Sequence, residues 1–513
     1  MSSGLFGLAI IFCIAAALSL AARLLKQPLI LAYLATGIIL AMFRFFPVPE
    51  EGFLQTLSGL GVMFLLFLIG LEINYTTIRS VGRVSIILGL SQIAFTSLFG
   101  FGIARLFHFP ILPSLYIAVA LTFSSTIIIL KLLSEKRDER SLYGRISIGF
   151  LLVQDVVAIL ILVFLTGLEG EGGVSLIHII GTLIQGAVLF GAMLFLGQKI
   201  LPMLLDKVSG SQELLFLISI SWVFLMVGIV EKLGFSIEMG GFLAGLALAN
   251  SSEHFQIAAK VKPLRDFFIL IFFVTLGISL ASFGIGEIGL PVLAFSLFVL
   301  FGNPLIVLII MGLMGYRKRT SFLTGLTVAQ ISEFSLVLVA LGARLGHIAP
   351  EIVALVTAVG VITITASTYF IIYGDTLYRY CSSLLSLFER KKLRERDLPG
   401  TEKKPLILIG CHRTGQSIAF NLPKKDLLIL DFDPEVIEEL RRHGFDYIFG
   451  DIADPDIAAR VPFAEAKLVI STSPDQNDGL AILALLSRLP KDARPRVILR
   501  ADDEREAGLL YRK

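Results

Sequence analysis

Charge is scarce in this chain of 513 residues: Asp, Glu, Lys and Arg make up 17% of it, against 55% apolar residues. With a mean hydropathy of +0.84, that balance excludes an ordinary soluble protein. Cysteine is nearly absent. Cys13, Cys381 and Cys411 are scattered, without metal-ligand spacing or a disulfide framework. Met1 to Gly4 holds no basic residue ahead of the first apolar run, so a cleaved signal peptide is not expected. The net charge of +3 carries little information, and no nucleic-acid partner is expected.

What is present is a series of apolar runs, each long enough to cross a hydrocarbon core of roughly 30 Å as a helix. About thirteen are read, at residues 4–22, 28–46, 55–72, 83–107, 113–133, 142–167, 174–201, 212–230, 234–250, 264–283, 286–314, 321–345 and 350–374. Basic residues sort between alternate loops. One side holds 17, among them Arg23, Lys26, Arg79, Lys131, Lys136, Arg145, Lys199, Lys260, Arg265, Arg317 and Arg319. The other side has only Arg44, Arg105, Lys232 and Arg344. By the positive-inside rule the N-terminus is outside and everything after the last segment is cytoplasmic. A multi-pass protein of the inner (plasma) membrane is expected, with residues 1–376 in the bilayer and 377–404 as a polar, charge-dense linker.

From Pro405 short apolar runs alternate with helical patterns. Strands are expected at Leu406–Gly410, Leu427–Asp431, Asp446–Phe449, Leu468–Ser471 and Arg496–Arg500. That alternation predicts a parallel, doubly wound α/β domain over residues 405–513. The chain reaches Lys513 part-way through the helix after the fifth strand, where such a domain usually adds another strand, so a truncated domain is expected.

Few residues in the apolar runs carry chemistry, which makes those few conspicuous. Gln154-Asp155 lies at the midpoint of the 142–167 segment, where an ionisable side chain is costly and usually marks an ion path or proton relay. No lysine or arginine lies near the middle of any segment, so the sequence supplies no buried base for a structural ion pair. Such a carboxylate can hold a proton in one state and a monovalent cation in the other. The fifth and twelfth segments carry polar residues at their middles: Thr122, Ser124, Ser125 and Thr126 in one, Gln330, Ser332 and Glu333 in the other. They lie seven segments apart and so run in opposite directions, as expected for broken helices at matching places in inverted repeats. Their hydroxyls and freed carbonyls suit a partly dehydrated alkali cation, with Asp155, Ser125 and Thr126 as its ligands. Small hydroxylated residues also serve close helix packing. Glu333 could be a second ionisable site or a structural acid at a broken helix end. Glu72 reads as interfacial, and Asn303-Pro304 as a kink whose amide bonds freed backbone groups.

In the soluble part the turn after the first strand reads Gly410-Cys411-His412-Arg413-Thr414-Gly415. Glycines there permit a tight bend and close backbone approach to a phosphate, although His412 stands where a middle glycine would be. Asp431 ends the second strand, where a ribose-binding acid belongs. Asp451, after the third strand, could cap the next helix or meet a base. A regulatory adenine nucleotide, AMP or NAD(H), is the expected ligand, with a degenerate, purely structural Rossmann unit as the alternative, and transport itself requires no cofactor.

Taken together, Leu68-Ile69-Gly70-Leu71-Glu72, Ser124-Ser125-Thr126, Gln154-Asp155, Gln330-Ile331-Ser332-Glu333-Phe334 and the C-terminal nucleotide domain resemble the Kef-type glutathione-regulated potassium efflux antiporters of the second cation:proton antiporter family. The resemblance covers nearly the whole chain. It implies a homodimer, a core domain with two crossing broken helices that moves elevator-like, and an RCK-type (TrkA-N-like) domain that senses a nucleotide. It also implies that Asp155 exchanges protons for K+ or Na+. Where many relatives carry a basic residue in the eleventh segment, this chain has Asn303, which bears on charge stoichiometry. No glutathione-specific signature is present. Three other readings are weaker. A nucleotide-gated cation channel lacks a filter-like Thr-Val-Gly-Tyr-Gly run, and a non-transporting sensor leaves Asp155 unexplained. An enzyme, such as a membrane-anchored oxidoreductase, has no room for a catalytic domain beside the Rossmann turn.

Overall fold

The computed structural model describes residues 2–42, 51–72, 83–136, 138, 141–166, 191, 195, 211–233, 237–249, 251, 253–282, 285–388, 404–432, 434–452, 455–458, 461–473, 476–501 and 504–512. The expected segment 174–201, apart from residues 191 and 195, and most of the expected linker lie outside these residues. Each of the other twelve expected segments coincides with helix. Among the described residues eight helices are long and apolar enough to cross a membrane.

The chain divides into two compact units. The first comprises residues 1–125, 149–303 and 328–368. It holds α1 (Ser2–Leu24), α2 (Leu29–Met42), α3 (Glu51–Glu72), α4 (Arg83–Leu106) and α5 (Ile111–Ala120). After α6 (Thr126–Lys136) comes α7 (Leu142–Thr166), which enters this unit at Gly149. Then follow α8 (Gln212–Lys232), α9 (Ile237–Leu248), α10 (His254–Ser282) and α11 (Ile285–Leu297), the last ending in a π-helical turn, Phe298–Gly302. Helix α3 packs against both α9 and α10. The approach is close because a Cβ on Gly245 would stand 2.0 Å from the Phe67 carbonyl oxygen. Without a hydrophobic drive between helices in lipid, small residues and interhelical hydrogen bonds hold such contacts; Trp222 Nε1 donates to the Ala244 carbonyl at 3.1 Å. Outward faces carry Leu98, Phe99 and Leu217, each more than half exposed, as lipid-facing positions require.

The second unit begins with α6 and the first turns of α7, and continues with α12 (Asn303–Met314) from Pro304 on, α13 (Lys318–Leu326) and α16 (Gly374–Leu385). Between α13 and α16 the chain returns to the first unit for α14 (Glu333–Arg344) and most of α15 (Pro350–Ile372). A polar cluster ties four elements of the second unit. Lys136 Nζ lies 3.1 Å from Asp138 and 3.4 Å from Asp375, and Arg319 lies 2.9 Å from Asp375. Tyr143 donates to Asp138. Burial alone would push the Asp375 carboxyl up, but Arg319 and Lys136 outweigh it and hold the group below the ordinary carboxylate value.

The soluble part of this unit is a five-stranded parallel sheet in the order β3-β2-β1-β4-β5. Its elements are β1 (Leu406–Ile409), α17 (Arg413–Ala419), β2 (Leu427–Asp431), α18 (Pro434–Arg442), β3 (Asp446–Phe449), α19 (Pro455–Ala458), β4 (Leu468–Ser471), α20 (Gln476–Ser487), β5 (Arg496–Leu499) and α21 (Glu504–Tyr511). Alternation along the central strands feeds two apolar layers. Ile407, Ile409, Leu428 and Leu430 pack with Ile482 and Leu486, while Leu408, Leu427 and Ile429 pack with Val436 and Leu440. Every expected strand forms, with β1 and β5 one residue shorter than expected.

Candidate functional site

Both expected breaks are present. Helix α5 stops at Ala120 and α6 starts at Thr126, leaving residues 121–125 non-helical. Helix α13 stops at Leu326 and α14 starts at Glu333, leaving 327–332. Every helix end exposes unpaired backbone groups, and inside a bilayer these need partners from the protein.

Two glutamines and an asparagine supply them at the first break. The Gln154 amide nitrogen donates to the Thr122 carbonyl at 3.0 Å and to Gln92 Oε1 at 2.6 Å. Gln154 Oε1 accepts the Ser124 backbone N–H at 3.0 Å. The Gln92 amide nitrogen donates to the Thr122 carbonyl at 3.2 Å and to Thr96 Oγ1 at 3.0 Å. Thr96 then donates to Asn303 Oδ1 at 2.9 Å, and the Asn303 amide reaches the Leu121 carbonyl at 3.0 Å. Asn303, just after the π-helical turn, thus bonds backbone freed at the end of α5 rather than in its own helix. Gln92, Gln154 and Asn303 are all fully buried.

The second break is held from α15 and from within. Ser367 donates to Gln330 Oε1 at 2.7 Å, and the Ile331 N–H meets Thr363 Oγ1 at 3.4 Å. Ser332 caps α14 in a capping box with Ser335. Glu333 occupies the first turn, where a carboxylate favours the positive end of the helix dipole. Ser125 Oγ donates to Glu333 Oε1 at 2.9 Å and so joins the two breaks directly.

Gln154 holds the backbone of Thr122 and Ser124, the adjacent Ser125 bonds Glu333 across the two breaks, and Gln330 lies at the second break. Asp155 follows Gln154 on α7 and is half-buried, and Thr126 opens α6. The Thr122 hydroxyl donates to the Val119 carbonyl at 2.7 Å and closes the end of α5. Ser124 Oγ and the Gln330 amide nitrogen are buried without a protein hydrogen-bond partner. Gln92 and Thr96 were missed by sequence reasoning. Their signal was available: a polar pair at i, i+4 inside the otherwise apolar α4.

In the soluble domain Gly410 has φ of +81°, a left-handed conformation that favours glycine. A Cβ on Gly415 would stand 2.1 Å from the Gly410 carbonyl oxygen. The Asp431 carboxylate, at the end of β2, accepts the Cys411 backbone N–H and is thereby held against the glycine turn. His412, Arg413 and Thr414 are exposed beside it, and Thr472 Oγ1 bonds the Gly410 carbonyl at 2.7 Å. Burial pushes the Cys411 thiol up to about 12, with Asp431 and Glu439 adding to the shift. Asp451 is buried, and its Oδ2 accepts the Leu142 N–H at 3.4 Å.

The family described as sodium/hydrogen exchanger, transmembrane, matches residues 8–372, and the TrkA-N domain matches residues 406–513. The chain is 28% identical over 504 residues to the putative cation/proton antiporter YbaL of Escherichia coli (strain K12), covering 94% of this chain and 89% of that protein. It is 27% identical over 500 residues to the putative K(+) efflux antiporter KefB of Alkalimonas amylolytica, covering 94% and 74%. The structure of the sodium proton antiporter MjNhaP1 from Methanocaldococcus jannaschii at pH 8 shares the fold, with a TM-score of 0.50 and 17% identity over 76% of this chain and 98% of that one.

Proposed function

The chain belongs to the sodium/hydrogen exchanger family, and from that premise we propose that it exchanges K+, or Na+, for protons at Asp155, under control of a nucleotide bound to its TrkA-N domain. The observation that carries this reading is the linkage of both helix breaks to α7: Gln154 grips the first break through Ser124 and Thr122, and Ser125 bonds Glu333 of the second. Asp155, the next residue on α7, is the carboxylate we assign to the cation, with oxygens at the breaks such as the buried Ser124 Oγ as its further ligands. Proton and cation compete for one carboxylate, so binding of one releases the other. The preference for K+ rests on the efflux antiporters among the relatives. The basic-residue asymmetry supports an outside N-terminus and a cytoplasmic TrkA-N domain at the inner membrane, and the family resemblance supports a homodimer.

For the nucleotide, the phosphate faces the Gly410–Gly415 turn and the ribose hydroxyls face Asp431. A histidine, His412, stands in place of the middle glycine, which suits a mononucleotide such as AMP at least as well as NAD(H). Proteoliposomes with an imposed pH gradient, challenged with K+, Na+ and choline, test the transport assignment. Asp155→Asn is expected to abolish cation-driven proton movement while the protein remains folded, and Asp155→Glu to retain part of it with a displaced pH profile. Exchange at the wild-type rate in Asp155→Asn would falsify the assignment.

A further inference from the structure

Helix α7, which carries Gln154 and Asp155, begins against the nucleotide domain. Its starting N–H groups need acceptors. Ser141 Oγ takes that of Gly144 at 3.2 Å, whereas that of Leu142 goes to the Asp451 carboxylate at 3.4 Å, 309 residues away in sequence. One turn further on, the Arg145 guanidinium lies over the Phe432 ring, 5.4 Å from its centroid. Phe432 directly follows Asp431, and Asp451 lies just beyond the end of β3. All these residues belong to the same compact unit.

Their places in the sheet give the contact a meaning. In the order β3-β2-β1, a nucleotide with its phosphate at the β1 turn and its ribose at Asp431 extends toward the end of β3. Neighbouring strands lie about 4.8 Å apart, so β1 to β3 spans on the order of 10 Å, the reach of one mononucleotide. The base then falls between Phe432 and Asp451, where the first turn of α7 now rests. We propose that this turn occupies the base subsite of the nucleotide crevice and competes with the base for it. An adenine base entering there displaces Arg145 from Phe432 and takes Asp451 from the Leu142 N–H. That frees the start of the helix whose Asp155 lies about 20 Å further along its axis. The inference rests on the nucleotide reading above and adds the element through which the ligand acts. A ligand shifts a balance only by its differential affinity for two states, and here the difference is competition for one surface.

The test uses the full-length protein, with calorimetry for binding and proteoliposomes for exchange, and compares AMP with ribose 5-phosphate, which lacks the base. Arg145 is exposed, so Arg145→Ala leaves folding unthreatened, and Arg145→Lys controls for charge. Removing the competitor is expected to tighten AMP binding by about two- to fivefold, the scale of one exposed cation–π contact, with ribose 5-phosphate unaffected. Nucleotide-free exchange in Arg145→Ala is expected to rise toward the AMP-bound rate of the wild type, by up to the same two- to fivefold, because the Asp451–Leu142 bond remains. Weaker AMP binding in Arg145→Ala would make Arg145 a ligand of the base, and unchanged binding or exchange would make the contact incidental; either overturns the proposal alone. If the wild type binds neither compound, the nucleotide reading fails and this inference fails with it.

Discussion

Gln154→Leu tests whether the network at the first break holds the transport geometry. Gln154 makes three buried hydrogen bonds: to the Thr122 carbonyl, to Gln92 Oε1 and from the Ser124 N–H. The Thr122 carbonyl keeps a donor in Gln92. The Ser124 N–H and Gln92 Oε1 lose theirs, and each buried orphan costs about 1–3 kcal/mol, so the substitution costs about 2–6 kcal/mol at the break. Gln92→Leu also removes three bonds, yet every partner keeps another. Thr96 still bonds Asn303, and Gln154 still bonds Thr122. At roughly 0.6 kcal/mol per hydrogen bond in a membrane, Gln92→Leu costs only about 1–2 kcal/mol. With tenfold per 1.4 kcal/mol, exchange should fall at least about thirtyfold in Gln154→Leu and roughly tenfold in Gln92→Leu. Initial rates of pH-gradient dissipation in proteoliposomes, normalised to reconstituted protein, measure both. A loss under threefold in Gln154→Leu, or a larger loss in Gln92→Leu, refutes the claim that orphaned groups at the break set the cost.

The Asp375 cluster carries a pH signature. Because the folded carboxyl lies below its ordinary value, its stabilisation is fully present above the unfolded value and is lost as pH falls through the folded one. Thermal unfolding of the solubilised protein between pH 6 and pH 3 should show an acid-side decline that Asp375→Asn reduces; the decline is small, since Asp375 is about half exposed. Cys411, with a buried thiol raised to about 12, stays protonated at neutral pH. Maleimide labelling followed by mass spectrometry should modify Cys381 well before Cys411. Early labelling of Cys411 would mean that the glycine turn opens in solution.

The parts of this protein that were legible in its sequence are those where one physical constraint acts on one stretch of chain. A bilayer demands about 20 apolar residues per crossing, so twelve of the expected segments reappear as helices and the seventh, apart from residues 191 and 195, lies outside the described residues. Hydroxyls and amides in the middle of such a run have little reason to be there unless the helix is interrupted, so the two breaks could be placed within a few residues. Short apolar strands between turn residues gave the sheet for the same reason. What sequence cannot carry is the identity of a distant partner. Thr96 and Asn303 are both polar residues in apolar helices, yet nothing local says that they meet across 207 positions. Asp451 shows the limit most clearly. Its place after β3 suggested a helix cap or a base contact, and its carboxylate does cap a helix, but one that starts 309 residues earlier. A cap is a local requirement of the helix, whereas its donor is a choice made by the whole fold. Asp451 stands beyond the end of β3, at the edge of the crevice proposed for the nucleotide, and at the start of the helix that carries Asp155, and that double position is why a cap in this protein is also a candidate switch.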